Sequence, residues 1–300
     1  MKKYIIKFLK KLFGMFGITV LKTQTFIKIN SINNSKINNL QEKNNDLLER
    51  GEEISLLNAE IARLSASASA NYKYKLDIEL LDSIKKNRII QTIELLKESK
   101  SQINQDLFVL NELDFKTNGY FVEFGATNGI DLSNSYLLER NFGWSGILAE
   151  PARCWHDSLL HNRSALISKL CVWKKSGENL IFSESKEAEY STITGFERND
   201  LNESRRLDNI QYTVNSITLN DLLAENNAPE IIDYLSIDTE GTEFEILKIV
   251  DFDKYIFRVI TCEHNYTAQR ELVHALLTSK GYQRKYEELS LWDDWYVRAV

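Results

Sequence analysis

Proline is nearly absent from this chain of 300 residues: there are two, Pro151 and Pro229. Cysteine is almost as scarce. Cys154, Cys171 and Cys262 are odd in number, far apart and without a Cys-x-x-Cys pair. That argues against a disulfide framework or a zinc ribbon and favours a reducing, cytoplasmic compartment. The chain also lacks a long apolar run. Its most hydrophobic stretch, residues 4–20, is broken by lysines every three or four positions, which excludes a membrane-spanning helix of about 20 apolar residues. The apolar core and small-residue cleavage site of a signal peptide are missing there too. Three ligand motifs are absent: Gly-x-Gly-x-x-Gly, Gly-x-x-x-x-Gly-Lys-[Ser/Thr] and Tyr-x-x-x-Lys. The first two hold a dinucleotide or a nucleoside triphosphate. The third is the usual proton relay of short-chain nicotinamide enzymes. Positive charge is lacking where chemistry is expected: residues 101–300 carry nineteen basic against thirty-two acidic side chains. A region so acidic repels nucleic acid.

What is present is a strand that runs into a glycine turn. Tyr120, Phe121, Val122 and Phe124 suit a buried strand, and Gly125 and Gly129 follow, four apart. Such a turn lets backbone approach a ligand at the carboxyl end of a parallel sheet. A second apolar run, Gly146–Ala149, ends in Glu150, 21 residues after Gly129. An acid about 20 residues beyond the turn is where nucleotide-binding α/β folds grip a ribose diol. A tight turn of any Rossmann-like sheet has the same Gly-x-x-x-Gly spacing. Together with the acid, and without a phosphate motif, it suits a nucleoside that carries no phosphate, such as S-adenosylmethionine.

The first hundred residues differ in character. Residues 1–28 hold seven lysines and no acid. Ile5, Phe8, Leu9, Leu12, Phe13 and Phe16 share one helical face. A basic amphipathic helix of this kind fits an anionic membrane surface, giving peripheral contact through residues 1–20, or else packs on the protein itself. Residues 29–70 read as a polar helical spacer and linker. Leu40, Leu47, Ile54 and Ile61 recur every seven residues, but Asn44, Gly51 and Asn58 spoil the partner positions. Residues 29–64 therefore form a weak coiled coil, with possible homo-oligomerisation, or a flexible spacer. Ser65–Ala70 reads as a hinge. Helical spacing returns over residues 71–115.

Residues 116–300 alternate strands with helices. Expected strands are 120–124, Ile147–Glu150, Ala165–Val172, Ile231–Ile237, Phe257–Cys262, Tyr282–Glu287 and Trp295–Ala299. Expected helices are Ser133–Arg140, Thr218–Leu223, Glu243–Ile249 and Glu271–Leu277. Residues 174–211 read as a polar loop, with Ser191–Gly195 and Arg198 as substrate-loop elements. Trp173 either flanks an adenine ring or caps a strand. This pattern predicts an open, mostly parallel sheet with ligands at the carboxyl ends of its strands. Those ends carry Glu123, Glu150, Asp238, Glu240, Glu263 and His264.

Four segments together resemble one family: Phe121–Gly129, Leu148–Pro151, Tyr234–Gly241 and Glu263–Asn265 look like the FkbM-type methyltransferases, and Asp293–Val297 is similar to the last strand of one branch. The resemblance covers about residues 101–300. It implies a Rossmann-like class I methyltransferase sheet, mostly parallel with an antiparallel last strand, behind a helical N-terminal extension. It implies S-adenosylmethionine as cofactor and transfer to a hydroxyl oxygen, on a small molecule or on a glycan such as a sugar of a bacterial surface polysaccharide. Carried over by position, Glu123, Gly125, Ala126 and Gly129 line the methionine and ribose side, Glu150 holds the ribose hydroxyls, and Asp238 sits near the transferred methyl. Acceptor hydroxyls need a base. The candidates are His264, Asp238 and Glu263, with a structural histidine as the other reading of His264. No metal is required, although Asp238, Glu240, Glu263 and His264 could together bind a divalent cation. Two other readings stay open: an NAD-dependent sugar oxidoreductase, and a non-catalytic scaffold with a relic α/β domain.

Overall fold

A computed structural model of the chain describes residues 34–36, 51–196 and 203–299. Residues 1–28, most of the heptad region and Arg198 lie outside the described residues. The chain divides between Leu76 and Asp77. On the N-terminal side, residues 34–36 are helical, and α1, Gly51–Ser83, is one helix of 33 residues that runs on past the division. The expected hinge at Ser65–Ala70 is therefore helical. Alanine is the best helix former, and nothing in that stretch is glycine or proline. Among the described residues no helix is long and apolar enough to cross a membrane.

The C-terminal unit holds α2 (Ile89–Leu95) and α3 (Gln105–Glu112), then a seven-stranded sheet. Its strands are β1 (Tyr120–Phe124), β2 (Ser145–Ala149), β3 (Leu166–Ser168), β8 (Ile231–Ile237), β9 (Ile256–Glu263), β10 (Tyr282–Lys285) and β11 (Asp293–Arg298). The order is β10-β11-β9-β8-β1-β2-β3, and β11 alone runs antiparallel to the rest. The expected class of sheet is thus the observed one. Strands buried on both faces read as continuous apolar runs. In β1, Phe121, Val122 and Phe124 are buried, and in β8 Ile232, Tyr234, Leu235 and Ile237 are. Crossover helices α4 (Tyr136–Phe142) and α5 (His156–Asn162) follow β1 and β2. Helix α6 (Leu219–Glu225) precedes β8, and α7 (Glu243–Leu247) and α8 (Gln269–Ser279) follow β8 and β9. On the β11 side, α3 lays its buried Phe108 on Trp295, ring centroids 4.6 Å apart.

The order of connections creates the site. From β1 the chain moves outward to β2 and β3, then returns to β8 on the other side of β1. The two loops leaving β1 and β8 therefore part, opening a crevice at the carboxyl ends.

Two expectations need correction. The third strand, expected at Ala165–Val172, is two strands: β3 in the main sheet and β4 (Cys171–Val172) in a second one. Residues 174–211 are not a loop. They contain β5 (Asn179–Ser185), β6 (Thr192–Ile193) and the start of β7 (Asn209–Ile217), joined in a four-stranded sheet of order β4-β7-β5-β6. Phe182, Ile193 and Val214 build a small core with Ala152, Cys171 and Trp173. The segment is polar because one face of this sheet stays wet. Leu180 and Phe182, and Tyr212 and Val214, keep the two-residue alternation of a half-buried strand. A further difference lies at the C-terminus, where helix α9 (Glu287–Ser290) separates β10 from β11.

Candidate active site

The crevice is a cavity of about 670 Å³. Its floor is the turn after β1 and the turn after β8, drawn together closely. Gly125 has φ 72°, and a Cβ there would lie 2.4 Å from the Asp238 carbonyl oxygen. Any other residue would be strained and would push the two strand ends apart. Gly129, at φ 82°, is closed in by Arg163 and Leu159 in the same way.

Glu150 joins this floor. Its Oε2 accepts the Thr127 N–H at 2.9 Å and its Oε1 the Ala152 N–H at 2.8 Å. The turn of residues 125–129 and the acid at 150 thus share one cleft, as the spacing of the motif requires. Burial pushes the Glu150 carboxyl up to about 7, against the two amide bonds that favour its charge. Beyond Glu150 the wall is apolar, with Pro151, Val172 and Phe182, a slot with the character a purine needs. Trp173 does not line it. Its ring packs edge-on to Phe196 in the second sheet, at 5.6 Å.

Glu123, just before the turn, is buried. Its carboxylate accepts the Ser133 hydroxyl at 3.1 Å, the Asn134 N–H at 2.7 Å, and the Ser135 hydroxyl. Arg163 lies 3.9 Å away and donates to Gly129 O and the hydroxyls of Ser133 and Ser135. Ser133, Asn134, Ser135 and Arg163 went unnoticed in the sequence. Arg163 gives no signal there, being a lone arginine after a helix.

Three carboxylates gather on the other side. Asp238, Glu240 and Glu263 each place an oxygen within 4.8 Å of the others. Burial pushes both Asp238 and Glu263 up, and the nearby charge of Asp238 adds to the rise of Glu263. Two buried carboxyls this close resist carrying two charges, so they titrate as a pair. Glu240 is engaged elsewhere: its Oε2 pairs with the Arg206 guanidinium and accepts from Asn265 Nδ2 at 3.3 Å. Arg206 Nε also donates to Tyr190 O at 2.7 Å. Tyr190 belongs to the strap of residues 187–193 that closes one side of the cavity. Ser191, Thr192 and Ile193 of the expected substrate loop line it as well.

His264 is not brought to the cavity. Its Nδ1 accepts the Tyr266 N–H at 2.9 Å, which fixes the proton on Nε2, where it faces Asp293 O at 3.1 Å. Burial lowers its pKa to about 4, so the ring is neutral with no lone pair to spare. It stands apart from the three carboxylates.

The far end of the cavity carries Gln102, Gln105, Leu132, Asn265, Tyr266, Trp292 and Asp293. Gln105 Nε2 donates to Asp293 Oδ2 at 2.9 Å. Burial pushes the Asp293 carboxyl up to about 8.

The family profile of the methyltransferase FkbM domain matches residues 123–284. Among solved structures, the chain is similar to a precorrin-6y C5,15-methyltransferase from Geobacter metallireducens GS-15, at 10% identity and TM-score 0.34, over 64% of this chain and 85% of that one. It is also similar to a putative sarcosine dimethylglycine methyltransferase from Galdieria sulphuraria, at 10% identity and TM-score 0.29, over 64% of this chain and 65% of that one. No curated protein matches it in sequence. Membership rests on the family profile, which spans more than half of the chain and decides against the nicotinamide alternative. A nucleoside slot without a phosphate cradle, ending in acids that suit a cation, fits that result: the chain belongs to the FkbM methyltransferase family and is an S-adenosylmethionine-dependent methyltransferase.

Proposed function

We propose that the protein methylates a hydroxyl oxygen of a sugar or another polyol, with Asp238 as the base. One observation carries this: the close carboxyl pair of Asp238 and Glu263 lines the cavity at the strand ends, where its cofactor half meets its far half. A hydroxyl is a poor nucleophile and needs a proton acceptor at hand. When bound, S-adenosylmethionine supplies an electrophilic methyl group. The residues of the chain do the rest. Glu150 holds the ribose, and the turn at Gly125 lets the cofactor lie against backbone. Asp238 takes the proton of the acceptor hydroxyl as the oxygen attacks. Glu263 shares a hydrogen bond with Asp238 and holds its carboxylate in place. Positioning the oxygen in line supplies much of the acceleration.

The far half of the cavity suits a polyol. Gln102 and Asn265 bring amides to the lining, and the Tyr266 and Trp292 rings offer faces for the C–H side of a sugar. The family resemblance supports a surface polysaccharide as its source. Residues 1–20, by their charge pattern, suit contact with the inner face of a membrane, where such glycans are assembled. The test is mass spectrometry of surface glycans from cells with and without the gene, together with methyl transfer in vitro from isotopically labelled S-adenosylmethionine. A methyl ether present only with the active protein is expected. Label appearing on nitrogen or carbon instead would overturn the reading.

A further inference from the structure

Glu123 and Ser236 are partners in register on the two central strands, β1 and β8. Both side chains are buried, and Asn134 closes over both of them. Its backbone N–H donates to Glu123 Oε1 at 2.7 Å and its side-chain Nδ2 to Ser236 Oγ at 3.0 Å. The other end of that amide has no such use. Asn134 is buried, 8% exposed, and lines the cavity, yet its Oδ1 has no hydrogen-bond partner. A buried carbonyl left unpaired costs roughly 1–3 kcal/mol. An orphaned acceptor held at the crossing point of the sheet calls for a donor from the ligand.

We infer that the Asn134 amide oxygen receives the α-ammonium group of the cofactor's methionine end, and that Glu123 acts through Asn134 as a positioning residue. The inference rests on the cofactor assignment made above and assigns the recognition of one group of that cofactor. An ammonium offers three donors and no acceptor, so a carbonyl oxygen is the matching partner. The Glu123 carboxylate just beneath favours a cation there. It is too fully engaged by Ser133, Asn134 and Ser135 to be the main contact itself. The orientation of the amide follows from Ser236. Its hydroxyl oxygen accepts from Asn134 Nδ2 at 3.0 Å, which leaves Oδ1 as the uncommitted end. Sequence reading placed Glu123 against the ligand; in this proposal Asn134 makes the contact, and Glu123, which also lines the cavity, orients it.

The test is binding, not turnover. Titration calorimetry on the full chain compares S-adenosylhomocysteine with its analogue lacking the amino group, with its analogue lacking the carboxylate, and with 5′-methylthioadenosine, which has neither. The wild type is expected to bind S-adenosylhomocysteine about 10- to 100-fold more tightly than the desamino analogue, as a hydrogen bond to a charged group commands. Asn134→Leu is expected to erase most of that ratio while 5′-methylthioadenosine binds as before. Asn134→Asp, which keeps an acceptor, is expected to retain it. A wild-type ratio near one overturns the inference without any variant. So does an Asn134→Leu ratio equal to the wild type's, or a variant that instead stops distinguishing the ligand without a carboxylate. Should Asn134→Leu not fold, Asn134→Ser is read in the same way. If S-adenosylhomocysteine does not bind at all, the cofactor assignment itself falls. If it binds and the amino group is ignored, only the role of Asn134 does.

Discussion

The two halves of the cavity are made differently. The cofactor half comes from short pieces of chain: Glu123 to Gly125, Thr127 and Asn134 around the first turn, 149–151 at the end of β2, and Val172 and Phe182 beyond. The far half gathers Gln102 and Gln105, Asn265 and Tyr266, and Trp292 and Asp293 from three distant places. In the first half backbone does much of the work, through Gly125 against Asp238 O and through the Thr127 and Ala152 amides on Glu150. In the second the contacts are side chains. A half built on backbone geometry leaves spacing in the sequence, whereas a half built on scattered side chains leaves none. The first should also be brittle to substitution and the second tolerant.

The harshest blow to that comparison falls on the turn. Gly125→Val sets a branched side chain where even a Cβ meets Asp238 O at 2.4 Å, in a conformation with positive φ. S-adenosylhomocysteine affinity should fall at least about 100-fold, since both the strain and the blocked approach act at the ligand's seat. Calorimetric affinity near the wild type's would show that the cavity is not used, which is what a relic domain predicts.

Next comes the boundary between the halves. Asp238→Asn should lower kcat by about 10²- to 10⁴-fold, the usual weight of a general base, with cofactor affinity changed far less. His264→Gln should leave kcat within a few-fold, because neither imidazole nitrogen is free. Its effect should appear as a lower Tm. If the histidine variant loses turnover and the aspartate variant keeps it, the base has been misassigned.

Acidity sharpens the contrast further. Glu150 is raised to about 7, Asp293 to about 8, and Asp238 and Glu263 are raised as well. Between their unfolded values near 4 and these folded values, the native state binds more protons than the unfolded chain. These groups therefore stabilise the fold below about pH 4 relative to pH 8, and that contribution is lost as pH rises through 7 to 8. Thermal melts of the ligand-free protein should show Tm falling by several degrees between pH 5.5 and 8, on the usual scale of about 2–4 °C per kcal/mol. S-adenosylmethionine, a cation, should raise Tm more at pH 8 than at pH 5.5. A ligand-free Tm that climbs over this range would contradict the burial of charge described here.

The smallest effect is expected from metal removal. Arg206 already supplies positive charge to Glu240, and His264 stands aside, so a chelator should change kcat less than about two-fold. Loss of turnover in EDTA, restored by Mg²⁺ or Mn²⁺, would transfer that task from the guanidinium to an ion.

Legibility follows the same division. The main sheet announced itself because its strands are buried on both faces and read as mostly apolar runs, Phe121–Phe124 and Ile231–Ile237 among them, interrupted only by Glu123, Asp233 and Ser236. Glu150 was found from one interval, 21 residues from Gly129, and it does share the cleft of that turn. The second sheet was hidden: Asn179–Ser185 and Asn209–Ile217 are polar on their wet face, and composition outweighed the alternation of Leu180 with Phe182 and Tyr212 with Val214. His264 attracted attention by residue type, and only the packing shows both its nitrogens occupied. Asn134 had no motif to mark it. Its importance comes from the pairing of Glu123 with Ser236, which no interval along the chain encodes.

The Arg206 guanidinium grips Tyr190 O on one side and Glu240 on the other. The strap is tied to the end of β8 a second time by the Thr192 hydroxyl, which donates to Glu240 O at 3.2 Å, and pulling the two apart would leave a buried guanidinium unpaired at a cost of several kcal/mol. This wall of the cavity is thus a fixed part of the fold, in contrast to Tyr266 elsewhere in the lining, which stands more than half exposed.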